Sequence, residues 1–326
     1  MDKTAPDRRP KEKTVRPALF DRGPAIRCPP ACCRREDRSE AEYGGYYQAL
    51  ATGIYQKYGL DVEIQQGGPQ VNQTQALLAG RLDLDLASNS FLALNLVQQQ
   101  IPFRAVAAFF QKDPSVLIAH PGQGHDTFAE LKGVPIMIGA DTRAGWWNFL
   151  EARFGYDDSQ IRPYNFSLAP FLANPRAVQE GYLGSEPYLI KQQTGVTPVV
   201  LMIADAGFSG YGSLLVASDQ MIASKPDVIA RFIKASREGW ESYLAGDPTP
   251  ANLLIKRDNP DMTDALLAYG RSVLISHAIV QPPQGQIGMM SDQRWQNFFL
   301  SMTASGLYPA SLDWHKAYTL QFVGSP

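Results

Sequence analysis

The chain has 326 residues, 44% of them hydrophobic and 10% aromatic, with a net charge of about −2. That length and composition exclude a disordered chain and point to two lobes of roughly 100–200 residues each. No basic face stands out after residue 40, which leaves nucleic-acid binding without support, and the longest apolar runs (VLIA at 116–119, ALNLV at 93–97) fall far below the ~20 residues of a membrane span.

The first 40 residues differ from the rest. They carry 11 Lys and Arg against 7 Asp and Glu, six prolines and all three cysteines, Cys28, Cys32 and Cys33. Nothing in them shows helix or strand periodicity, so residues 1–40 are expected to be a disordered or atypical tail. The run PALF is too short for the apolar core of a secretory signal. PPACCRRE lacks both a CxxC spacing and a nearby His, so its thiols read as incidental rather than metal-binding or redox-active. A misassigned start or shifted reading frame upstream of Ala41 would produce the same features.

From Ala41 onward the elements alternate. Apolar residues at Tyr47, Leu50, Ala51, Ile54, Tyr55 and Tyr58 have helical spacing and predict a helix over 43–58, ended by Gly59. LDVEIQ at 60–65 predicts a strand. Gly67-Gly68-Pro69 predicts a turn, and Val71–Ala79 a second helix stopped by Gly80. A short strand at 82–87 feeds Ser88-Asn89-Ser90, which caps a helix running to Gln98. Strands are predicted over 101–110 and 115–120.

A second α/β unit follows. It comprises a helix at 127–131, a strand at 134–138, a loop at 139–145, a helix at 146–154, a strand at 178–181, a helix at 185–193 and a strand at 198–203. SLLVA at 213–217 reads as a strand returning to the first lobe. Helices then occupy 226–245, 249–257, 263–279 and 292–305. This order predicts an α/β protein with parallel sheets. Lobe 1 would be residues 41–112 and 214–326, lobe 2 residues 113–213, with a ligand cleft between them and two chain passages joining them.

Catalysis finds little purchase. His120, His125, His277 and His315 are scattered, with no metal-ligand partner at i+3 or i+4. G-x-S-x-G, the phosphate loop and a dinucleotide fingerprint after a strand do not occur. Asp83 and Asp85 share one face of a strand, and solvated or paired acids are the default reading there. No metal or cofactor is expected.

Binding does better, because ligands of open α/β sheets sit at strand carboxyl ends against helix N-termini. Four segments are predicted there: Ser88–Ser90, Asp141–Trp146, Gly67–Asn72 and Gly44–Tyr47. Trp146-Trp147 and Tyr46-Tyr47, each pair beside a glycine, offer rings suited to stacking on a flat ligand. Glu186 opens a helix, where an acid is ordinary, yet at a cleft it also suits an amino-bearing heterocycle. Arg143 near a helix start suits an anion such as a sulfonate, and Tyr211, between two glycines, is placed to line the hinge.

GGYYQALATGIYQKYGLDVEI, GGPQVNQTQALLAGRLDLDLAS, EGYLGSEPYLI, GSLLVAS and KPDVIARFIKASREGW resemble the solute-binding proteins of the nitrate, sulfonate, taurine and thiamine-precursor group, over about 41–320. The resemblance implies a type II periplasmic binding fold of two α/β lobes with two crossovers. It also implies a monomer that binds a small molecule by lobe closure and docks its lobe surfaces on an ABC permease in the periplasm; read without a signal peptide, the chain would instead stay cytoplasmic. Carried over by motif, the ligand site would include Tyr46, Gln70, Asn72, Ser88, Asn89, Arg143, Gly145, Trp146 and Glu186, with Tyr211 at the hinge. The aromatic residues and Glu186 favour a small nitrogen heterocycle such as a thiamine-precursor pyrimidine as the ligand, and Arg143 supports the alternative, a sulfonate- or nitrate-type anion. One eukaryotic branch of the family is an enzyme that makes the thiamine pyrimidine from its own histidine and pyridoxal phosphate. Its cysteine-rich motif and early histidine are not matched here, so no enzyme activity is expected.

Overall fold

The computed structural model describes residues 25–28, 40–65, 77, 79–143, 145–165 and 167–323. The strands in chain order are β1 (Ala25–Cys28), β2 (Asp61–Ile64), β3 (Asp85–Asn89), β4 (Phe103–Phe110) and β5 (Ser115–Ala119). Then come β6 (Ile136–Ile138), β7 (Ile161–Pro163), β8 (Val178–Tyr182), β9 (Val199–Met202) and β10 (Gly212–Ser218). The helices of eight residues or more are α1 (Gly44–Ala51), α2 (Ser90–Gln98), α3 (Trp146–Phe154), α4 (Glu186–Thr194), α5 (Pro226–Ala245), α6 (Thr249–Asp258), α7 (Asp264–Ser276) and α8 (Asp292–Ala304). The expected turn at 67–69 lies outside the described residues, as does most of the helix expected over 71–79.

Strand β1 is a correction to the expected tail. Ala25–Cys28 pairs in parallel with β2, Ala25 opposite Asp61 and Cys28 opposite Ile64. Four residues set among prolines and charges are too few for periodicity to register in the sequence. The helix expected over 43–58 is also two pieces, α1 and a turn at Ile54–Lys57, parted where Gly53 takes a φ of 75°.

The other strands form two sheets, ordered β3-β10-β4 and β7-β6-β8-β5-β9. These are the cores of two α/β lobes. Contrary to the expected parallel sheets, both are mixed or antiparallel. β10 runs antiparallel to β3 and β4, and β5 antiparallel to β8 and β9, while β6 is parallel to β7 and β8. The connectivity explains this. β4 runs toward the junction and β10 away from it, so the strand that returns from the second lobe must oppose its neighbours.

Residues 111–114 and 203–211 connect the lobes, and one side chain ties the two passages together. Arg294 of α8 donates from Nη2 to the carbonyl oxygens of Gln111 (2.5 Å) and Gly210 (2.9 Å), and from Nε to that of Ser209 (2.8 Å). Its guanidinium lies 4.0 Å from the ring centre of Tyr211, a cation–π contact. Burial draws its pKa below the usual guanidinium range, with Tyr211 pulling the other way. Lys112 and Asp205, one on each passage, add an ion pair at 2.7 Å.

Helix α1 packs closely onto α5, through glycines on both helices. A Cβ on Gly239 of α5 would fall 2.3 Å from the Gly45 carbonyl oxygen and 2.6 Å from Ala49 Cβ. On Gly44 and Gly45 it would fall 2.1 Å from the rings of Tyr243 and Trp240. Gln48, buried in the same seam, is fully used. Its amide donates to Ser242 Oγ (3.1 Å) and the Asp247 carbonyl (2.9 Å) and accepts from the Ala251 N–H (3.2 Å).

Candidate functional site

The lobes meet where a 3₁₀ turn at Ala41–Tyr43, just before α1, faces the turn that opens α4. Small residues let them touch. A Cβ on Gly184 would lie 2.3 Å from Glu42 Oε1 and 3.4 Å from the Gly270 Cα, and one on Gly270 would lie 2.8 Å from Ala41 Cβ. Tyr188 of α4 and Tyr269 of α7 continue the junction with ring centres 5.0 Å apart.

Three carboxyl groups are buried here and in the neighbouring strand β8. Glu186 accepts at Oε2 from the Tyr182 N–H (2.8 Å) and the Ser185 hydroxyl (3.0 Å). Glu180 accepts at Oε1 from the Gly139 N–H at 3.1 Å, which ties β8 to the end of β6. Glu42 is 3% exposed, and its buried Oε1 has no hydrogen-bond partner among the described residues. Burial raises its pKa from 4.5 to about 7, against a lowering backbone hydrogen bond, and the nearby Glu186 charge raises it further. The junction is therefore rich in acceptors and suited to a ligand that offers N–H groups.

The ten expected site residues scatter more than the sequence suggested. Glu186 is at the junction. Gln70 and Asn72 lie outside the described residues. Ser88 and Asn89 sit within β3 rather than after it, and Asn89 caps α2 by accepting from the Phe91 N–H at 3.1 Å. Tyr46 is core, edge-on to Phe109 and Trp240 at 5.2 and 5.7 Å. Trp146 is 0% exposed, as are Tyr47 and Trp147, so none of these rings presents a face to solvent. The neighbouring glycines serve close packing (Gly44, Gly45) and the start of α3 (Gly145). Arg143 points outward into an exposed ion pair with Asp158. The expected loop around it holds a helical turn, Ala140–Arg143. Tyr211 ends the second connection, just before β10, accepting from the Ser291 N–H (2.9 Å) and donating its own N–H to Ser90 Oγ (2.9 Å).

Glu42 and Gly184 were missed by sequence reasoning, as was Arg294. The signal for Glu42 was an acid two residues before the buried GGYY segment. Among the described residues no group of three or more His, Cys, Asp and Glu is arranged to hold a metal ion. His120 is stacked on Phe171 with ring centres 4.0 Å apart, and its Nε2 lies 2.9 Å from the Phe171 carbonyl oxygen.

Another buried acid, Asp85, sits at the start of β3. Burial raises the Asp85 pKa from 3.8 to about 7, opposed by a backbone hydrogen bond at Leu86. A carboxyl whose pKa is higher folded than unfolded stabilises fully below its unfolded value, and that contribution is lost as pH rises toward the folded value. The window for Asp85 is therefore about pH 4–7. Asp85→Asn should gain about 2–4 kcal/mol relative to wild type between pH 4.5 and 7.5. Urea denaturation at the two pH values checks this, and parallel curves for the two proteins would refute it.

Residues 40–251 match the family described as NMT1/THI5 like. The curated riboflavin-binding protein RibY of Chloroflexus aurantiacus is 25% identical over 292 residues, 86% of this chain and 82% of that protein. The periplasmic aliphatic sulphonate-binding protein SsuA of Escherichia coli superposes with a TM-score of 0.63 at 14% identity, covering 93% of this chain and 92% of its own. The Candida albicans CA3427 gene product, which has the generic periplasmic binding protein fold, superposes with a TM-score of 0.65 at 12% identity, covering 93% and 98%. At such identities the solved structures establish the fold, two α/β lobes of the periplasmic binding protein type. With nearly two thirds of its length matched, the chain belongs to the NMT1/THI5-like family.

Proposed function

We propose that the protein is the solute-binding receptor of an ABC importer and that it clamps a small nitrogen heterocycle, pyrimidine- or flavin-like, between its lobes. The observation that carries the ligand class is Glu186, a buried carboxylate at the lobe junction, already oriented by the Tyr182 N–H and the Ser185 hydroxyl. An oriented acceptor in a low-dielectric junction favours a ligand N–H and disfavours an anion. Arg143, the cation that would have favoured a sulfonate, is paired with Asp158 at the surface. A relative named for riboflavin binding fits the same preference.

Binding would shift the population toward the closed arrangement of lobes, which a permease then reads from the lobe surfaces. The receptor would act as a monomer and outside the cytoplasmic membrane, as the E. coli fold relative is named periplasmic. Calorimetry against aminopyrimidines, riboflavin and alkanesulfonates tests the reading. A heterocycle should bind, and Glu186→Gln should weaken it about 10- to 100-fold, as expected for a charge-assisted hydrogen bond. Sulfonate binding that survives Glu186→Gln would overturn the ligand class. A new absorbance band on incubation with pyridoxal phosphate would favour the enzyme instead.

A further inference from the structure

The geometry points to Glu42 as the first lobe's own ligand-reading acid, so that Glu42 and Glu186 form a two-sided clamp for a ligand carrying hydrogen-bond donors on two edges. This rests on the proposed receptor function and adds to it a residue from the opposite lobe.

Position comes first. Glu42 belongs to the turn before α1, and Glu186 is the first residue of α4, so the two acids approach from different lobes. The Gly184 backbone fits against the Glu42 carboxyl only because Gly184 lacks a side chain, and its neighbour Gly270 is a glycine too. Glu42 is thus held at the surface that the second lobe closes on.

Burial without a partner is the second point. Glu42 Oε1 is buried with no hydrogen-bond partner among the described residues, and a buried polar oxygen left unpaired costs about 1–3 kcal/mol. Glu42 also feels the Glu186 charge, a repulsion that neutral residues at the site would avoid. The plain alternative is that Glu42 serves the positive end of α1, since acids favour helix N-termini. That role is strongest for an acid within the helix's own first turn. Glu42 precedes α1, is 3% exposed and faces Gly184.

The chemistry follows. Two carboxyl groups from opposite sides repel an anion and reward a ligand with an amino group or ring N–H on one edge and a hydroxyl or second N–H on another. Bridging the pair offsets a like-charge repulsion with two hydrogen bonds, so ligand and closure become coupled through the same two side chains. A ligand with a single donor would satisfy one acid and leave the other buried and unpaired.

Binding of 4-amino-5-hydroxymethyl-2-methylpyrimidine and of riboflavin to the full chain is compared by calorimetry for wild type, Glu42→Gln, Glu186→Gln and the double variant. Glu42→Gln should weaken the heterocycle that binds at least tenfold. The double variant should lose less than the product of the single losses, because each acid works through the same bridged ligand. Glu42→Gln should fold at least as well as wild type at pH 7.5, since it removes a buried acid whose ionised form burial and the Glu186 charge both oppose, and a melting curve checks this. If wild type and Glu42→Gln bind alike, this inference falls alone. If wild type binds neither heterocycle, the ligand class proposed above falls and this inference with it.

Discussion

Arg294→Ala is expected to destabilise the protein by about 3–5 kcal/mol and to loosen the junction of the two lobes. The guanidinium donates to three main-chain carbonyls, one on the first connection and two on the second. Removing it strands those carbonyls in a largely buried place, where each unpaired acceptor costs about 1–3 kcal/mol, partly relieved by entering water. The contact with the Tyr211 ring is lost as well. Arg294→Lys should recover less than half, because a single ammonium cannot span the fork that reaches Gln111, Ser209 and Gly210 at once. Urea denaturation measures the loss, and hydrogen exchange should show it concentrated at residues 111–114 and 203–211. Protection unchanged in those segments would refute the role assigned to Arg294.

Gly239→Ala should cost about 3 kcal/mol, and Gly239→Val should prevent the first lobe from forming. The added Cβ meets the Gly45 carbonyl and the Ala49 main chain rather than a flexible side-chain tip, so relief requires α1 to move off α5. That movement would break the three hydrogen bonds of Gln48 and draw Tyr46 and Tyr47 out of the core. It would also displace Glu42, which sits two residues before α1. Ligand affinity should therefore fall with stability in Gly239→Ala. Soluble yield and the urea midpoint test this, and a wild-type midpoint for Gly239→Ala would count against so close a helix contact.

Much of the architecture was legible in the sequence. Residues 146–154 and 226–245 have helical periodicity and clear stops, and both helices appear with the expected ends. The return strand was visible as SLLVA. Strand direction was not, because alternation of strands and helices says nothing about a strand that crosses between lobes. β1 escaped because proline and charge surround its four residues.

The site was harder to read for a specific reason. Glycine beside aromatic residues looks the same whether the glycine cradles a ligand or lets two helices touch. In GGYY and AGWW the rings turned out to be core. Arg143 looked like an anion hook, but Asp158, fifteen residues on, claims it. Glu186 opens α4, as the sequence around SEPYL led one to expect. Glu42 could not be singled out without the second lobe, since what distinguishes it is Gly184, 142 positions away in the sequence.

The central place of β10 has a consequence for how the molecule comes into being. Its partners Asn89 and Phe110 lie about a hundred residues or more before Gly212, and the whole second lobe is synthesised in between. Until β10 arrives, β3 and β4 have no shared neighbour and each presents an open edge that invites wrong pairing. The lobe that begins first is thus completed last, closing its longest loops late and slowly. A chaperone that holds the nascent chain would meet a partly built first lobe beside a second one already complete.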